Sequence, residues 1–338
     1  MVNIYDVARL AGVSTATVSR YVNGSSNPRP ETAERIERAI RETGYVPSSA
    51  ARTLVTKSTG LIGFLTSDLL NPFTSELAQS MAEHAGRSGL SLLTAVTFGQ
   101  SERFTELVRE LRRHQVDGII ATPPESPEVV QALTDASRAG TPVATIGITL
   151  PDDAGDFVSC DTYGGGVLAM EHLLGLGHRQ IGFVTGDPAT SVAGSRFQAY
   201  RESLERAGIG IDQDLIKEGP LDREGGFAAA LELFDRRDLP TAIFAVNDLI
   251  ALGAIQAAAS RQIRIPEELS IVGFDDIPMA SHSTPALTTI AQPRSELGRL
   301  AAEFLITRLR DKQAKPQSVR LDCSLVERAS TTQPPQAG

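Results

Sequence analysis

Apolar residues change their spacing along this chain near residue 60. Before that point they recur at helical intervals. Ile4, Val7, Ala8 and Leu10–Ala11 predict a short amphipathic helix over 4–10. Gly12 follows, where a left-handed backbone costs little. Ser14, after the apolar Val13, can cap a second helix by accepting the Thr17 backbone N–H. That helix, about 15–22, should bury Val18 and Val22 and expose Thr15, Ala16, Ser19 and Arg20. Ala8 is small enough for the two helices to cross closely. A helix, a glycine turn and a second helix with a short-polar outer face form a helix-turn-helix. Such a helix fits a DNA major groove about 12 Å wide, with Arg20 able to reach a guanine edge or a phosphate.

Beyond residue 60 the period becomes that of buried strands. "LIGFLTS" (61–67), "LSLLTAV" (90–96), "DGIIATP" (117–123) and "PVATIG" (142–147) predict strands, with helices near 73–88, 101–115 and 127–139. A second set begins near 157 with "FVSCD", then "QIGFVTG" (180–186), "TAIFAVN" (241–247) and "LSIVGFDD" (269–276). This alternation predicts two doubly wound parallel-sheet subdomains, with 288–298 and 319–325 carrying the chain back across. Ligands of such sheets bind at the carboxyl ends of the strands. Those ends carry Ser67–Asp68, Thr122, Cys160–Asp161, Asn247–Asp248 and Asp275–Asp276. Asp and Asn suit vicinal hydroxyls because they offer paired hydrogen-bonding atoms. Asp161 and Asp248 could instead cap the helices that follow them, and Asp276 suits a structural role better than Asp275.

Charge sharpens the picture. The 338 residues carry a net −9. Residues 1–60 hold eight Lys and Arg against five Asp and Glu, a net of +3, which leaves −12 for the rest. A positive head on a negative body points to a polyanionic partner for the head alone. No apolar run reaches 18 residues, and the N-terminus lacks the basic and apolar regions of a signal peptide. Cys160 and Cys323 form no CxxC and are expected to be reduced thiols in a cytoplasmic protein. The five histidines (84, 114, 172, 178 and 282) lack metal-ligand spacing. "TYGGG" (162–166) lacks the dinucleotide spacing and suits close helix–strand packing, and neither a P-loop nor a GxSxG is present. No catalytic residue, metal or cofactor is therefore expected.

"IYDVARLAGVSTATVSRYVNG" resembles the N-terminal signature of the lactose-repressor/galactose-repressor family of bacterial transcription regulators. The likeness continues through a third helix, Pro30 to Thr43, with Pro30 in its first turn and Gly44 at the C′ position. It then runs through "GYVPSSAARTLVTKSTGLIGFLTSDLLNPF" to "LVERASTTQPP", nearly the whole chain. The resemblance implies a helix-turn-helix head over 1–46, a hinge over 47–59, and a periplasmic-binding-protein-like core over 60–338. Within the core it implies an N-subdomain of about 60–159 and 291–319 and a C-subdomain of about 160–290 and 320–330.

The family reading makes the protein a homodimeric repressor of a pseudo-palindromic operator, controlled by a small metabolite, most often a carbohydrate. No heptad repeat follows residue 326, which favours a dimer over a coiled-coil tetramer. The DNA-facing set is Tyr5, Ser14, Thr15, Ala16, Thr17, Ser19, Arg20 and Asn23, with Arg52 and the minor-groove wedge Leu54 from the hinge. Pro47 would stop the third helix, and Ser48 stands where the family usually has Asn. The effector set adds Asn71, Phe73, Arg196, Leu221 and Arg294 to Ser67, Thr122, Asp161, Asn247 and Asp275; Asp222 accompanies Leu221. Ala199 stands where Gly is common, and Arg294 where an aromatic often meets the ligand. Arg294 could favour an acidic or phosphorylated effector or lie in a salt bridge. Two other readings of the whole chain are a soluble sugar-binding protein with a degenerate head and a purine-responsive, corepressor-type regulator.

Overall fold

A computed structural model describes residues 2–22, 27–46, 58–151, 154–186 and 191–335, and statements of absence below refer to these. Asn23, Pro47, Ser48, Arg52 and Leu54, and with them most of the expected hinge, lie outside the described residues.

The head contains α1 (Ile4–Ala11), α2 (Thr15–Val22) and α3 (Pro30–Thr43). Asn3 starts α1 with a capping box. Its Oδ1 accepts the Tyr5 N–H at 2.9 Å, while the Asp6 carboxylate accepts the Asn3 N–H at 3.1 Å. Gly12 ends α1 at φ 64° and Gly44 ends α3 at φ 62°, both left-handed positions where a side chain would be strained. The third helix thus stops at Gly44, before Pro47 is reached. Val7, Ala8, Ala11, Val18, Ile36 and Ala39 form the buried core of the head, and Val22 is only half-buried against it. The Tyr21 hydroxyl donates to Glu37 at 2.6 Å and ties α2 to α3.

The larger unit holds two six-stranded sheets. The first contains β1 (Leu61–Thr66), β2 (Ser91–Val96), β3 (Gly118–Ala121), β4 (Val143–Ile146), β5 (Asp156–Cys160) and, later in the chain, Ser318–Leu321. Helices α4 (Pro72–Arg87), α5 (Ser101–Arg113) and α6 (Pro127–Arg138) connect its strands. The second sheet contains β6 (Ile181–Thr185), β7 (Ile216–Glu218), β8 (Ala242–Ala245), β9 (Ser270–Asp275), β10 (Thr288–Ala291) and, later, Ser324–Val326. Its helices are α7 (Thr162–Gly175), α8 (Ser191–Arg206), α9 (Arg223–Phe234), α10 (Asp248–Ser260) and α11 (Pro278–His282).

The chain passes between the sheets three times: after β5, through α12 (Arg294–Arg310), and between β11 (Ser318–Leu321) and β12 (Ser324–Val326). The last passage falls at 322–323, slightly later than the expected boundary at 319–320, because β11 pairs with β5 as far as Leu321. The pairs β1–β3, β3–β4, β4–β5, β5–β11, β6–β7, β6–β8, β8–β9 and β9–β10 are parallel, and β10 with β12 is antiparallel. Two details depart from the sequence reading. β2 is not buried; at a sheet edge, its residues are exposed (Ser91, Leu93) or half-buried. The edge strand β7, three residues long, carried no apolar run to announce it.

Packing explains the glycines of "TYGGG". A Cβ on Gly165 would lie 2.7 Å from the Phe274 ring of β9, and one on Gly166 would lie 2.7 Å from the Ala199 Cβ of α8. The run therefore serves close packing of α7. In the first sheet, Asp156 is buried and takes a two-pronged ion pair from Arg308 of α12, at 2.8 and 2.9 Å.

The C-terminal segment is held through histidine. His178 is buried, with Nδ1 2.9 Å from Thr241 Oγ1 and Nε2 2.8 Å from the Thr332 carbonyl. His172 Nε2 lies 2.9 Å from Thr331 Oγ1. Burial holds both imidazoles below their ordinary value of 6.5. A histidine whose folded pKa is depressed favours the fold when neutral. Its contribution is complete above about pH 6.5 and is lost as pH falls from there through the folded value. Melting temperature is thus expected to drop on acidification below about pH 6.5, and His178→Gln should flatten that slope. An unchanged slope in the variant would place the acid sensitivity elsewhere.

Candidate functional site

The head presents α2. Ser14 Oγ accepts the Thr17 N–H at 3.1 Å and lies 2.8 Å from Thr17 Oγ1. Both hydroxyls are thereby engaged in starting the helix. Ala16 and Arg20 are exposed, whereas Thr15 and Ser19 are only half-buried, less open than the period alone suggests. Arg20 Nε donates to the Ala16 carbonyl at 3.2 Å, which lays the guanidinium along the helix. Tyr5 is 71% exposed in the first turn of α1. A short helix of small residues with one arginine near its end can approach base edges closely, because no long side chain stands between backbone and groove.

In the larger unit a cavity of about 390 Å³ opens at the carboxyl ends of both sheets. Of the ten expected effector residues, nine line it: Ser67, Asn71, Phe73 and Thr122, then Asp161, Arg196, Leu221, Asn247 and Asp275. Several are positioned by helix starts. Asn71 Oδ1 accepts the Phe73 N–H at 3.0 Å, Asp161 Oδ1 accepts the Gly164 N–H at 3.0 Å, and Asn247 Oδ1 accepts the Ile250 N–H at 2.8 Å. Capping and lining are thus not alternatives for Asp161 and Asn247, since a cap sits where a strand ends and a helix begins. Asn247 Nδ2 also donates to the Leu221 carbonyl at 3.1 Å, which joins two walls of the cavity. Asp222 caps α9 through Gly225 N–H at 2.8 Å and does not line the cavity.

The electrostatic centre is Arg196 with Asp275. Arg196 is 4% exposed; its guanidinium carbon lies 3.6 Å from the Phe274 ring centroid, and Nη1 donates to the Val246 carbonyl. Nη2 lies 3.7 Å from Asp275 Oδ1, and Nε has no hydrogen-bond partner. Asp275 also accepts from Gln292 Nε2 at 2.7 Å. Burial pushes the Asp275 carboxyl up and the Arg196 guanidinium down, and their mutual attraction only partly offsets this. A hydroxylated ligand bridging the two would hydrogen-bond the charged forms and favour them.

Arg294 departs from expectation. It does not line the cavity. Its Nε donates to Glu76 at 2.6 Å and its Nη1 to the Asp275 carbonyl. Asp275 adopts φ 114°, a conformation that disfavours any side chain, and Arg294 is one of the groups that hold it there. The salt-bridge alternative is therefore the one realised, and the charge of Arg294 is spent within the protein. Asp248 neither caps the helix nor lines the cavity. It is fully buried, accepting from Ile277 N–H at 2.8 Å and from the Thr289 hydroxyl. Asp276 pairs with Arg328 at 2.6 Å, and Asp68 accepts from Leu70 and Asn71 N–H groups.

Among the further lining residues that escaped the sequence reading are Gln292, Ser159 and Arg320. Ser159 had a readable signal, since it stands at the carboxyl end of β5, two positions before the cap Asp161. Gln292 and Arg320 lie where the chain returns between the sheets, which no local pattern encodes. The two cysteines, 160 and 323, also meet there. The neighbouring Cys323 thiol, then burial, pushes the Cys160 thiol up, and the neighbouring Cys160 pulls Cys323 down.

Comparison with known proteins agrees with this fold. Residues 3–48 match the family model described as bacterial regulatory proteins, lacI family, and residues 170–331 match the periplasmic binding protein-like domain. The HTH-type transcriptional regulator DegA of Bacillus subtilis is 38% identical over 330 residues, covering 97% of this chain and 98% of its own. The chain belongs to the lacI family. Another family relative, the ribose operon repressor of Haemophilus influenzae, is 35% identical, with 98% of each chain covered. Among solved structures, the lac repressor dimer bound to operator and the anti-inducer ONPF superposes with a TM-score of 0.87 at 30% identity, covering 98% of this chain and 99% of that one. The lacI-family assignment makes the protein a transcriptional regulator with a helix-turn-helix head and a periplasmic-binding-protein-like core. No described helix is long and apolar enough to cross a membrane.

Proposed function

We propose that this lacI-family member is a homodimeric repressor that reads a pseudo-palindromic operator with α2 and releases or tightens on it when a carbohydrate or carbohydrate derivative occupies the cavity. It carries out no catalysis and acts in the bacterial cytoplasm on the nucleoid. The reading is carried by one observation: a chain whose head exposes a groove-sized helix also holds a buried Arg196–Asp275 pair at the strand ends, with Arg196 Nε unpartnered. That pair suits vicinal hydroxyls, because it offers a forked donor beside an acceptor. The ribose operon repressor among its relatives supports a sugar as the ligand class.

In this reading Ala16 and Thr15 set base preference, Arg20 adds affinity and a base contact, and Tyr5, Ser14, Thr17, Ser19 and Asn23 contact backbone or base edges. Arg52 and Leu54 act in the minor groove, where a leucine wedge kinks the duplex. Gel shifts of the full-length protein with genomic fragments test the proposal. Raising salt from about 50 to 200 mM should weaken the shifted complex at least tenfold, since a positive head displaces counterions from phosphates. Sugars that raise the melting temperature should then change the shift. A chain that shifts no fragment, or whose complex ignores salt, would remove the operator from the proposal.

A further inference from the structure

Arg294 is neutralised by Glu76, yet the cavity does contain a cation that the protein leaves unanswered. β11 is an edge strand, and its Arg320 stands in register with Ser159 of β5. Residues in register on parallel strands present their side chains to the same face, and both residues line the cavity. Ser159 is only 6% exposed, and its Oγ has no hydrogen-bond partner. The exposed Arg320 guanidinium forms no ion pair or side-chain hydrogen bond among the described residues. The remaining charges of the cavity have partners. Asp275 is met by Arg196 at 3.7 Å and Gln292 at 2.7 Å, and Asp161 by the Gly164 N–H at the start of α7.

An unpaired guanidinium beside a buried, unpaired hydroxyl is a pair of donors that lacks an acceptor. Leaving a buried hydroxyl unmade is costly, and hydrogen bonds from a guanidinium to an anion are roughly twice as strong as neutral ones. We propose that the effector is a sugar bearing an anionic group, a phosphate or a carboxylate, with that group held between Arg320 and Ser159 and its hydroxyls at Arg196, Asp275 and Asn247. This rests on the cavity being the effector site, as set out above. A cavity of about 390 Å³ suits one monosaccharide derivative.

Isothermal titration of the full-length protein tests it with two series at constant ionic strength: ribose, ribose 5-phosphate and ribonate, and glucose, glucose 6-phosphate and gluconate. Inorganic phosphate controls for charge alone. At least one anionic member should bind about tenfold or more tightly than its neutral parent. The phosphate and carboxylate arms show which anion is preferred. Arg320→Gln should bring that member to parity with its parent, Arg320→Lys should retain part of the preference, and Ser159→Ala should weaken it by less. The proposal is overturned if no anionic member outbinds its parent, or if the preference survives Arg320→Gln. A neutral parent that binds best and alters the operator gel shift would overturn it while leaving the repressor reading intact. A failure to shift any operator fragment would overturn only the latter.

Discussion

Ile36→Ala is expected to abolish operator binding, although Ile36 is buried and faces no groove. Among the described residues, the core of the head has three buried side chains larger than Ala, namely Val7, Val18 and Ile36. Cutting a buried isoleucine to alanine costs about 2–5 kcal/mol. Domains this small hold roughly 3–5 kcal/mol in a single core. The substitution therefore removes most or all of the stability of the head, and an unfolded α2 cannot enter a major groove. The larger unit has its own cores, built around Phe183 and Phe244 of one sheet and around Phe64 of the other with Leu77 of α4. Ligand titration should consequently remain as in the wild type while the gel shift disappears. A variant that still shifts operator at wild-type concentrations would show that the three-helix core does not limit the stability of the head.

Asp275→Asn is the second change with a large expected effect, here on the effector. Asparagine keeps the shape and the oxygen that accepts from Gln292, but it removes the charge facing Arg196. Losing one partner of a buried, hydrogen-bonded charge pair at a binding site costs about 2–5 kcal/mol. That is roughly 30-fold to several-thousand-fold in affinity. The sugar or sugar derivative that binds the wild type best should give no measurable heat with the variant at the same concentrations, while operator is still shifted and no longer responds. Arg196→Ala should lose the ligand too, and in addition melt at lower temperature, because it strands the buried Asp275 carboxylate. Wild-type affinity in Asp275→Asn would remove Asp275 from the effector site.

Much of this architecture was legible in the sequence because it is locally encoded. The helix-turn-helix follows from apolar spacing, Gly12 and Ser14 within about twenty residues, and the bounds Thr15–Val22 and Pro30–Thr43 coincide with the expected ones. Fully buried parallel strands announce themselves as apolar runs, so β1, β3, β6 and β9 could be read directly. Strand ends in such sheets point to the ligand, and Ser67, Thr122, Asp161, Asn247 and Asp275 line the cavity for that reason; Asn71, Phe73, Arg196 and Leu221, which line it too, were implied by the family resemblance.

What only the tertiary structure decided depends on contacts between distant segments. Edge strands lack the buried faces that make a pattern, so β2 read as buried and β7 was not seen. Whether an acidic or basic side chain is a ligand or a brace depends on what the fold brings beside it. Glu76, 218 residues away, turns Arg294 into a brace. Thr289 and the Ile277 N–H turn Asp248 into a buried tie. The register of β11 on β5 places Arg320 beside Ser159 and leads Cys323 to Cys160. A sequence displays periodicity within an element, but register across strands is set by packing the whole sheet, and with it the charge balance of the cavity.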